Sequence, residues 1–314
     1  MSKKRFMQLV RGLHNLRPEH RGCVATIGNF DGVHRGHQAL LGRLRKRAVE
    51  LGVPSCVVIF EPQPQEFFIP SMAPARLACL RDKQQLLTEE GVSHVLCLAF
   101  NQLLQSFSAV EFIDRILVHG LGVKHLEVGD DFRFGYDRDG DFNFLQNAGM
   151  SQGFTVEAAQ TVKLDGVRIS STQVRNALGA ADFAMAKRLL GRQFSIAGRV
   201  LRGQKLARQL GAPTANVQLK RRRVPLAGVY LVSVDIDGQS WPGVANIGVR
   251  PTVISDGAAH LEVHLLDFVG DLYDRHLTVV FHHKLREEQC FASLEALKIM
   301  INADVATARI LSCI

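Results

Sequence analysis

The sequence predicts an α/β protein in two parts, a doubly wound parallel-sheet domain followed by an antiparallel β-barrel domain with a covering helix. Three observations carry this. Apolar runs of strand length at 23–27, 56–60, 95–100, 126–128 and 154–156 alternate with helical patterns at 38–51, 83–90, 109–119 and 142–150, and a helix between each pair of strands implies parallel crossovers and a sheet covered on both faces. From Gly191 the runs become short and β-rich (229–235, 261–267, 277–282) between Gly, Pro and Asp turns, and the chain closes on Leu294, Leu297 and Ile301 at helical spacing, the pattern of a small barrel and a helix that covers it. Finally, 314 residues exceed the size at which a single core keeps growing. The change of pattern near Lys187 to Gly191 predicts domains 1–187 and 188–314.

The first strand and first helix are joined by Thr26-Ile27-Gly28-Asn29-Phe30-Asp31-Gly32-Val33-His34-Arg35-Gly36-His37. Ligands of doubly wound folds bind at the carboxyl ends of the strands. Gly28, Gly32 and Gly36 let the backbone turn and approach a ligand closely, while free N–H groups and the dipole at the helix start favour an anion. His34 and His37, three apart, fall on one face of the first turn. Two imidazoles aimed at a bound phosphate can donate hydrogen bonds to charge that develops during substitution. With 12 His and 27 Gly in the chain, the pattern His-x-Gly-His arises by accident only roughly 0.04 times, so the pair is read as catalytic. Zinc at these histidines would need further Cys or His nearby in sequence, and there is none.

Hydrophobic content of 46% with 22% charged residues is ordinary for a globular protein. A formal charge of +8 and a pI near 9.4 admit nucleic acid, membrane surface or polyphosphate as partners. The local sources are Arg43-Leu44-Arg45-Lys46-Arg47, read as the solvated face of a helix, and Lys220-Arg221-Arg222-Arg223, read as an exposed turn or an anion-contacting flap. Neither is interleaved with the aromatics that base stacking needs, so no nucleic-acid partner is expected. No apolar run approaches the roughly 20 residues of a membrane helix, and Met1-Ser2-Lys3-Lys4-Arg5 leads into no signal-like core. A cytoplasmic location without membrane contact is the expectation. Cysteines 23, 56, 79, 97, 290 and 313 form no Cys-x-x-Cys pair and are read as reduced core residues.

Other segments carry chemistry of their own. Phe60-Glu61-Pro62-Gln63-Pro64-Gln65-Glu66-Phe67-Phe68 follows the second strand and either lines a flat ring or packs its phenylalanines on the core. The loop from Gly129 to Gly140 interleaves Asp130, Asp131, Arg133 and Arg138 with Phe132, Phe134 and Tyr136, which suits a ring and a phosphate. Adjacent Asp130 and Asp131 point apart, which argues against a paired acid/base site. Ser170, Ser171 and Thr172 open a helix with Arg175 one turn on; hydroxyls there cap free N–H groups or bind phosphate oxygens. Beside His34 and His37 they would supply the other wall of a triphosphate site. In the second half, Thr214 and Asn216 offer oxygen donors of the kind Mg²⁺ accepts, or simply form a turn before a strand. Glu262 shares a strand face with His264, and that face is either solvated or turned into the barrel. Buried inside, a carboxylate would call for a function such as general base.

Taken in order, His34-Arg35-Gly36-His37, the Gly129 to Gly135 loop, Ser170-Ser171-Thr172 with Arg175, Pro213-Thr214-Ala215-Asn216 and Pro225-Leu226-Ala227-Gly228-Val229-Tyr230 resemble bacterial bifunctional riboflavin kinase/FAD synthetases. Asn246-Ile247-Gly248-Val249-Arg250-Pro251-Thr252, Leu261-Glu262-Val263-His264 and Leu285-Arg286-Glu287-Glu288 continue the resemblance, which covers 23–301. It implies a C-terminal flavokinase barrel that makes FMN from riboflavin and ATP, an N-terminal nucleotidyltransferase domain that adenylylates FMN to FAD, and Mg²⁺ in both steps. Residue by residue, it implies that His34 and His37 stabilise the α-phosphate and that Gly28, Phe30 and Gly36 contact the nucleotide. Ser171, Thr172 and Arg175 would hold the triphosphate, and Asp131 and Phe60 would help place the flavin. Thr214 and Asn216 would hold Mg-ATP, Glu262 would take the proton of the ribityl 5′-hydroxyl, and Arg286 would border the flavin. The segment 207–212 and Tyr273-Asp274 depart from the family's usual turns, and Gln63 stands where related sequences often carry His. Rival readings are a monofunctional adenylyl- or cytidylyltransferase with a barrel appendage, and a flavin- or nucleic-acid-binding module without turnover. Oligomeric state is left open.

Overall fold

The computed structural model describes residues 7–202, 214–249 and 259–312. The basic lead-in 1–5, the 207–212 departure, Pro213, Arg250-Pro251-Thr252 and Cys313 lie outside the described residues. Two compact units are present, Met1–Pro74 with Leu80–Ile169, and Ala75–Cys79 with Ser170–Ile314.

The first unit is a six-stranded parallel sheet. Its strands are β1 Gln8–Arg11, β2 Val24–Ile27, β3 Ser55–Glu61, β4 His94–Ala99, β5 His125–Val128 and β6 Thr155–Ala158, in the order β1-β4-β3-β2-β5-β6. Every residue of β2 and β5 is buried, because helices cover both faces of the central strands and leave no side for polar alternation. One face, with Ala25, Val58 and Leu96, packs on Ile116, Leu121 and Leu145. The other, with Val24, Val57 and Val95, packs on Leu41 and Leu44 of α1 (Arg35–Leu51) and Leu87 of α3 (Leu80–Glu89), with α2 being Pro64–Phe68. The edge strand β1 was not legible in the sequence: it is four residues long and only Val10 is buried. The expected helix over 109–119 is α5 Ala109–Phe112 continued by a π-helical turn Ile113–Val118, preceded by α4 Gln102–Gln105 and followed by α6 Phe142–Gln152. A short hairpin, β7 Lys163–Leu164 with β8 Val167–Arg168, completes the unit.

From β2 the chain winds through β3 and β4 to one side, then crosses to β5 and β6 on the other. The carboxyl end of β2 is therefore the switch point where such sheets open a crevice. The His34 loop starts there.

The second unit holds α7 Ser171–Gly179, α8 Phe183–Leu190 and a closed antiparallel barrel. Its strands are β9 Ser195–Leu201, β10 Ala215–Val217, β11 Gly228–Ile236, β12 Gln239–Val249, β13 Ala259–Leu265 and β14 His276–Arg286, in the ring order β10-β13-β12-β11-β14-β9. The covering helix is α9 Leu294–Ser312, and it turns the expected face to the barrel, with Leu297 and Ile301 half-buried, but its closest contacts fall further along. Leu294 is exposed, and Val305, Ala308 and Leu311, further along, pack on Leu231 and Leu266. The spacing rule found the helix and missed which turns touch the barrel. The stretch 75–79 joins this unit because Arg221 is buried and donates to the carbonyls of Arg76 and Leu77 at 3.3 and 3.1 Å, while the Arg76 N–H donates to Arg223 O at 3.2 Å. Arg221 is thus neither turn surface nor flap, although Arg222 and Arg223 are exposed. On α1, likewise, Arg45 and Lys46 are solvated but Arg43 meets the buried Glu127 at 2.6 Å. Cys23, Cys56, Cys79 and Cys97 are buried free thiols, whereas Cys290 is exposed. Among the described residues, no helix is long and apolar enough to cross a membrane.

Candidate active sites

Between β2 and α1 the backbone turns through left-handed conformations at Phe30, Gly32 and Val33, with φ of 45°, 80° and 39°. Non-glycine residues there cost of order 1–3 kcal/mol each, and burial of the Phe30 and Val33 side chains in the core holds them in place. His34 then caps α1: its Nδ1 accepts from the His37 N–H at 3.3 Å, leaving Nε2 to carry the ring proton. The two imidazoles stack at 3.7 Å and 15°, and Phe30 lies 4.8 Å from the His37 ring. A Cβ at Gly36 would press on the His34 ring at 3.1 Å and on Ile169 O at 3.4 Å, so glycine keeps this cradle open. His37 Nδ1 is sealed from solvent with no hydrogen-bond partner among the described residues. Burial, then the neighbouring His34 and Lys83, holds its pKa well below the usual 6.5. His37 is therefore a neutral imidazole at physiological pH.

Sequence reading missed Lys83, which is fully buried on α3. The available signal was its position three residues from Leu80 and four from Leu87, on the apolar stripe of an amphipathic helix.

Past the carboxyl ends of β3, β4 and β5 lies a cavity of about 470 Å³. It is lined by Phe60, Pro64 and Phe68 from one expected loop, Phe132, Phe134, Tyr136 and Arg133 from the other, and Phe100 after β4. Phe132 and Phe134 stack at 5.5 Å, and Phe100 meets Phe68 edge-on at 5.5 Å. The volume falls in the range of small-molecule sites, and aromatic walls with a few charged groups suit a flat heteroaromatic ring. Asp131 stands outside this lining, exposed and paired with Arg168 at 3.4 Å.

In the second unit, Ser170 takes the capping role on α7 by accepting from the Gln173 N–H at 3.3 Å. Ser171 and Thr172 then occupy the first turn, and Arg175 donates Nε to Ala75 O at 2.6 Å.

On β13, Leu261, Val263 and Leu265 are buried while Glu262 and His264 lie on the opposite face, half-buried. Glu262 does not enter the barrel interior. Register puts it beside Asn216 on β10 and Asn246 on β12, and Thr214 directly precedes β10. Asn246 Oδ1 is buried without a hydrogen-bond partner among the described residues. Two amide oxygens and a carboxylate on one face, with the Thr214 hydroxyl just before β10, form a hard-oxygen set that fits Mg²⁺. Arg286, at the end of β14, is clamped by Asp304 of α9, with contacts of 2.8–3.1 Å, and lies 5.6 Å from the Phe291 ring. Asp304 was also missed, although an acid on the packed face of a helix is a recognisable signal.

A histidine-bearing switch-point loop with an aromatic cavity in one unit, and a closed barrel with an oxygen-rich outer face in the other, define a two-module nucleotide-handling transferase. The FAD synthetase family matches residues 16–173 and the riboflavin kinase family residues 190–312. The chain is 81% identical to a bifunctional riboflavin kinase/FMN adenylyltransferase of Pseudomonas fluorescens, covering 98% of each, and 52% identical to that of Escherichia coli K12, covering 96% of this chain and 97% of the relative. A crystal structure described as a macrolide-efflux protein from Streptococcus pneumoniae is similar with a TM-score of 0.77 and 28% identity, over 96% of this chain and 99% of that one. The chain belongs to the bifunctional riboflavin kinase/FMN adenylyltransferase family.

Proposed function

We propose that the barrel unit phosphorylates riboflavin with ATP to give FMN, and that the parallel-sheet unit transfers AMP from a second ATP to FMN, giving FAD and pyrophosphate. The observation that carries the second step is the pairing, at one end of one sheet, of the His34/His37 cradle with the aromatic cavity. The flavin ring lies in that cavity with Phe60 on its wall, and Asp131, on the loop that carries Phe132, helps orient it from the rim. FMN phosphate oxygen attacks the α-phosphorus of ATP, whose oxygens sit over the start of α1. There Gly28, Phe30 and Gly36 shape the nucleotide contact, and the ring N–H groups of His34 and His37 donate to the charge that builds up on the α-phosphate. A neutral His37 still carries one ring N–H, and that is the donor this role requires. Ser171, Thr172 and Arg175 offer two hydroxyls and a guanidinium to a polyphosphate.

In the barrel unit, Thr214 and Asn216 would hold Mg²⁺ and the ATP phosphates, with Asn246 Oδ1 available to complete the oxygen set. The cation, when bound, would neutralise phosphate charge. Glu262 accepts the proton of the ribityl 5′-hydroxyl as that oxygen attacks the γ-phosphorus, and Arg286, held rigid by Asp304, borders the flavin. Half-burial of an outward carboxylate beside two amides favours this reading over a merely solvated strand face. We place the functional boundary between 187 and 188, with Mg²⁺ serving both steps. Riboflavin, FMN and ATP are the partners, with neither nucleic acid nor membrane. Incubation with riboflavin, ATP and Mg²⁺ tests the proposal: chromatography should show FMN appearing first and FAD after it. FMN without FAD would sink the first-unit reading, and flavin bound but unchanged would sink both.

A further inference from the structure

At the other end of the parallel sheet, Cys23, Cys56 and His94 come together at the amino ends of β2, β3 and β4. Cys56 is in register with His94 across the β3/β4 pair, and Cys23 precedes β2, next to β3. All three belong to the same sheet face, the one that carries Ala25, Val58 and Leu96, because they alternate with those residues along their strands. Both cysteines have no solvent exposure and His94 has 2%. Their two sulfurs and a ring nitrogen all lie within 4.8 Å of one another.

The bland reading is a pair of core thiols beside a structural histidine. That reading leaves His94 Nε2 buried with no partner of ordinary hydrogen-bond geometry among the described residues, while the Cys23 thiol leans on both Cys56 and the His94 ring, and donors gathered this way in a dry core suit a shared ligand. Neighbouring His20 does not relieve Nε2. Its ring is 5.3 Å from that of His94, but its Nδ1 accepts from the Arg17 N–H at 2.9 Å and its Nε2 bonds Gln8 Oε1 at 2.8 Å. His20 packs beside the cluster with both nitrogens committed.

We propose that Cys23, Cys56 and His94 form a buried zinc site, separate from both reaction sites and structural in role. Tetrahedral zinc, bonded at about 2.3 Å to sulfur and about 2.0 Å to nitrogen, keeps its ligand atoms roughly 3.5–3.8 Å apart. Small side-chain rotations of groups within 4.8 Å reach that spacing. Charge points the same way: Zn²⁺ with two thiolates and a neutral imidazole has no net charge, and a neutral complex is the one a dry core can hold. Binding releases two thiol protons to solvent and changes no oxidation state. The fourth position takes a water or the carbonyl of Leu121, which already faces Cys23 Sγ at 3.9 Å. A soft sulfur-rich set rejects Mg²⁺, so the reaction's hard cation does not compete.

The test uses the full chain, produced with zinc in the medium and dialysed without metal. Elemental analysis should find about one zinc per chain. Cobalt substitution should give an intense sulfur-to-cobalt absorption in the near ultraviolet together with tetrahedral visible bands. Zinc content and both cobalt signals should vanish in Cys56→Ser and in His94→Gln and persist in Cys97→Ser, which removes a buried cysteine outside the cluster. In case the cluster variants fold poorly, the unaltered protein gives an independent reading: a zinc-selective chelator should lower its melting temperature, with zinc but not magnesium restoring it. Metal-free protein with a melting temperature indifferent to zinc, or zinc retained in Cys56→Ser, would overturn the proposal. So would copper(I) binding in preference to zinc.

Discussion

At the scale of single residues, chemistry and packing meet in the same side chains. His37 is predicted to serve only adenylyl transfer, and losing one preorganised donor costs on the order of 10²–10³ in rate. His37→Ala should therefore accumulate FMN while FAD formation falls by that factor, as followed by chromatography; undiminished FAD would refute the role. Glu262→Gln keeps size and hydrogen bonding but removes the basic carboxylate, so FMN formation should fall about 10²–10⁴-fold with the fold intact by circular dichroism. The histidines also set a pH limit on stability. Burial is the first cause lowering the pKa of His20, His37, His125 and His282 below 6.5. Each takes up a proton more readily once unfolded, so their contribution is complete above 6.5 and is lost as pH falls toward the folded values. Buried Glu127, whose pKa is raised above 4.5, acts in the opposite sense, stabilising at low pH and fading as pH rises. With four imidazoles against one carboxyl, the melting temperature should drop as pH falls below the usual imidazole value of 6.5; a flat profile would contradict it.

At the scale of elements, the loop from β2 to α1 and the helix α9 show two ways a segment is fixed. The first is held by burying Phe30 and Val33 in unfavourable backbone regions, so that His34 can cap α1 and stack on His37. Strain here positions chemistry. The second is held by Asp304, which binds the Arg286 guanidinium with both partners largely shielded. Removing one partner of a shielded pair leaves the other uncompensated, at about 3 kcal/mol. Asp304→Ala should therefore lower the denaturation midpoint correspondingly and, by freeing Arg286, raise the KM for riboflavin more than it lowers kcat. A variant as stable as its parent would show that the pair is dispensable.

For the whole molecule, the family matches fall on an adenylylating half and a kinase half, whereas the contact pattern gives α7, α8 and 75–79 to the barrel. Phe183 of α8 meets Tyr230 of β11 at 5.8 Å, and a cut at 187/188 would fall within α8. The fragment 170–314 should fold alone and make FMN but no FAD, since 145 residues suffice for one core. It should melt higher than a fragment beginning at 186, which loses the Phe183 contact. A fragment 170–314 that bound riboflavin but turned over only after 1–169 was added back would sink the modular reading.

The sequence by itself determined what is local. The alternation of strands and helices, the glycine-spaced histidines and the change of pattern near residue 190 each lie within a short window, where periodicity and turn chemistry act directly on neighbouring residues. It also named the two loops that line the aromatic cavity without showing that they meet. Tertiary structure alone decided what depends on strand order and register. Those relations place Glu262 outward between Asn216 and Asn246, and they bring Phe60, Phe100 and Phe132 into one cavity. They also gather Cys23, Cys56 and His94, three residues spread over 72 positions, at one end of the sheet. Contacts between distant segments carry no signature in either segment, because each strand shows only which side it buries and not which neighbour it buries that side against.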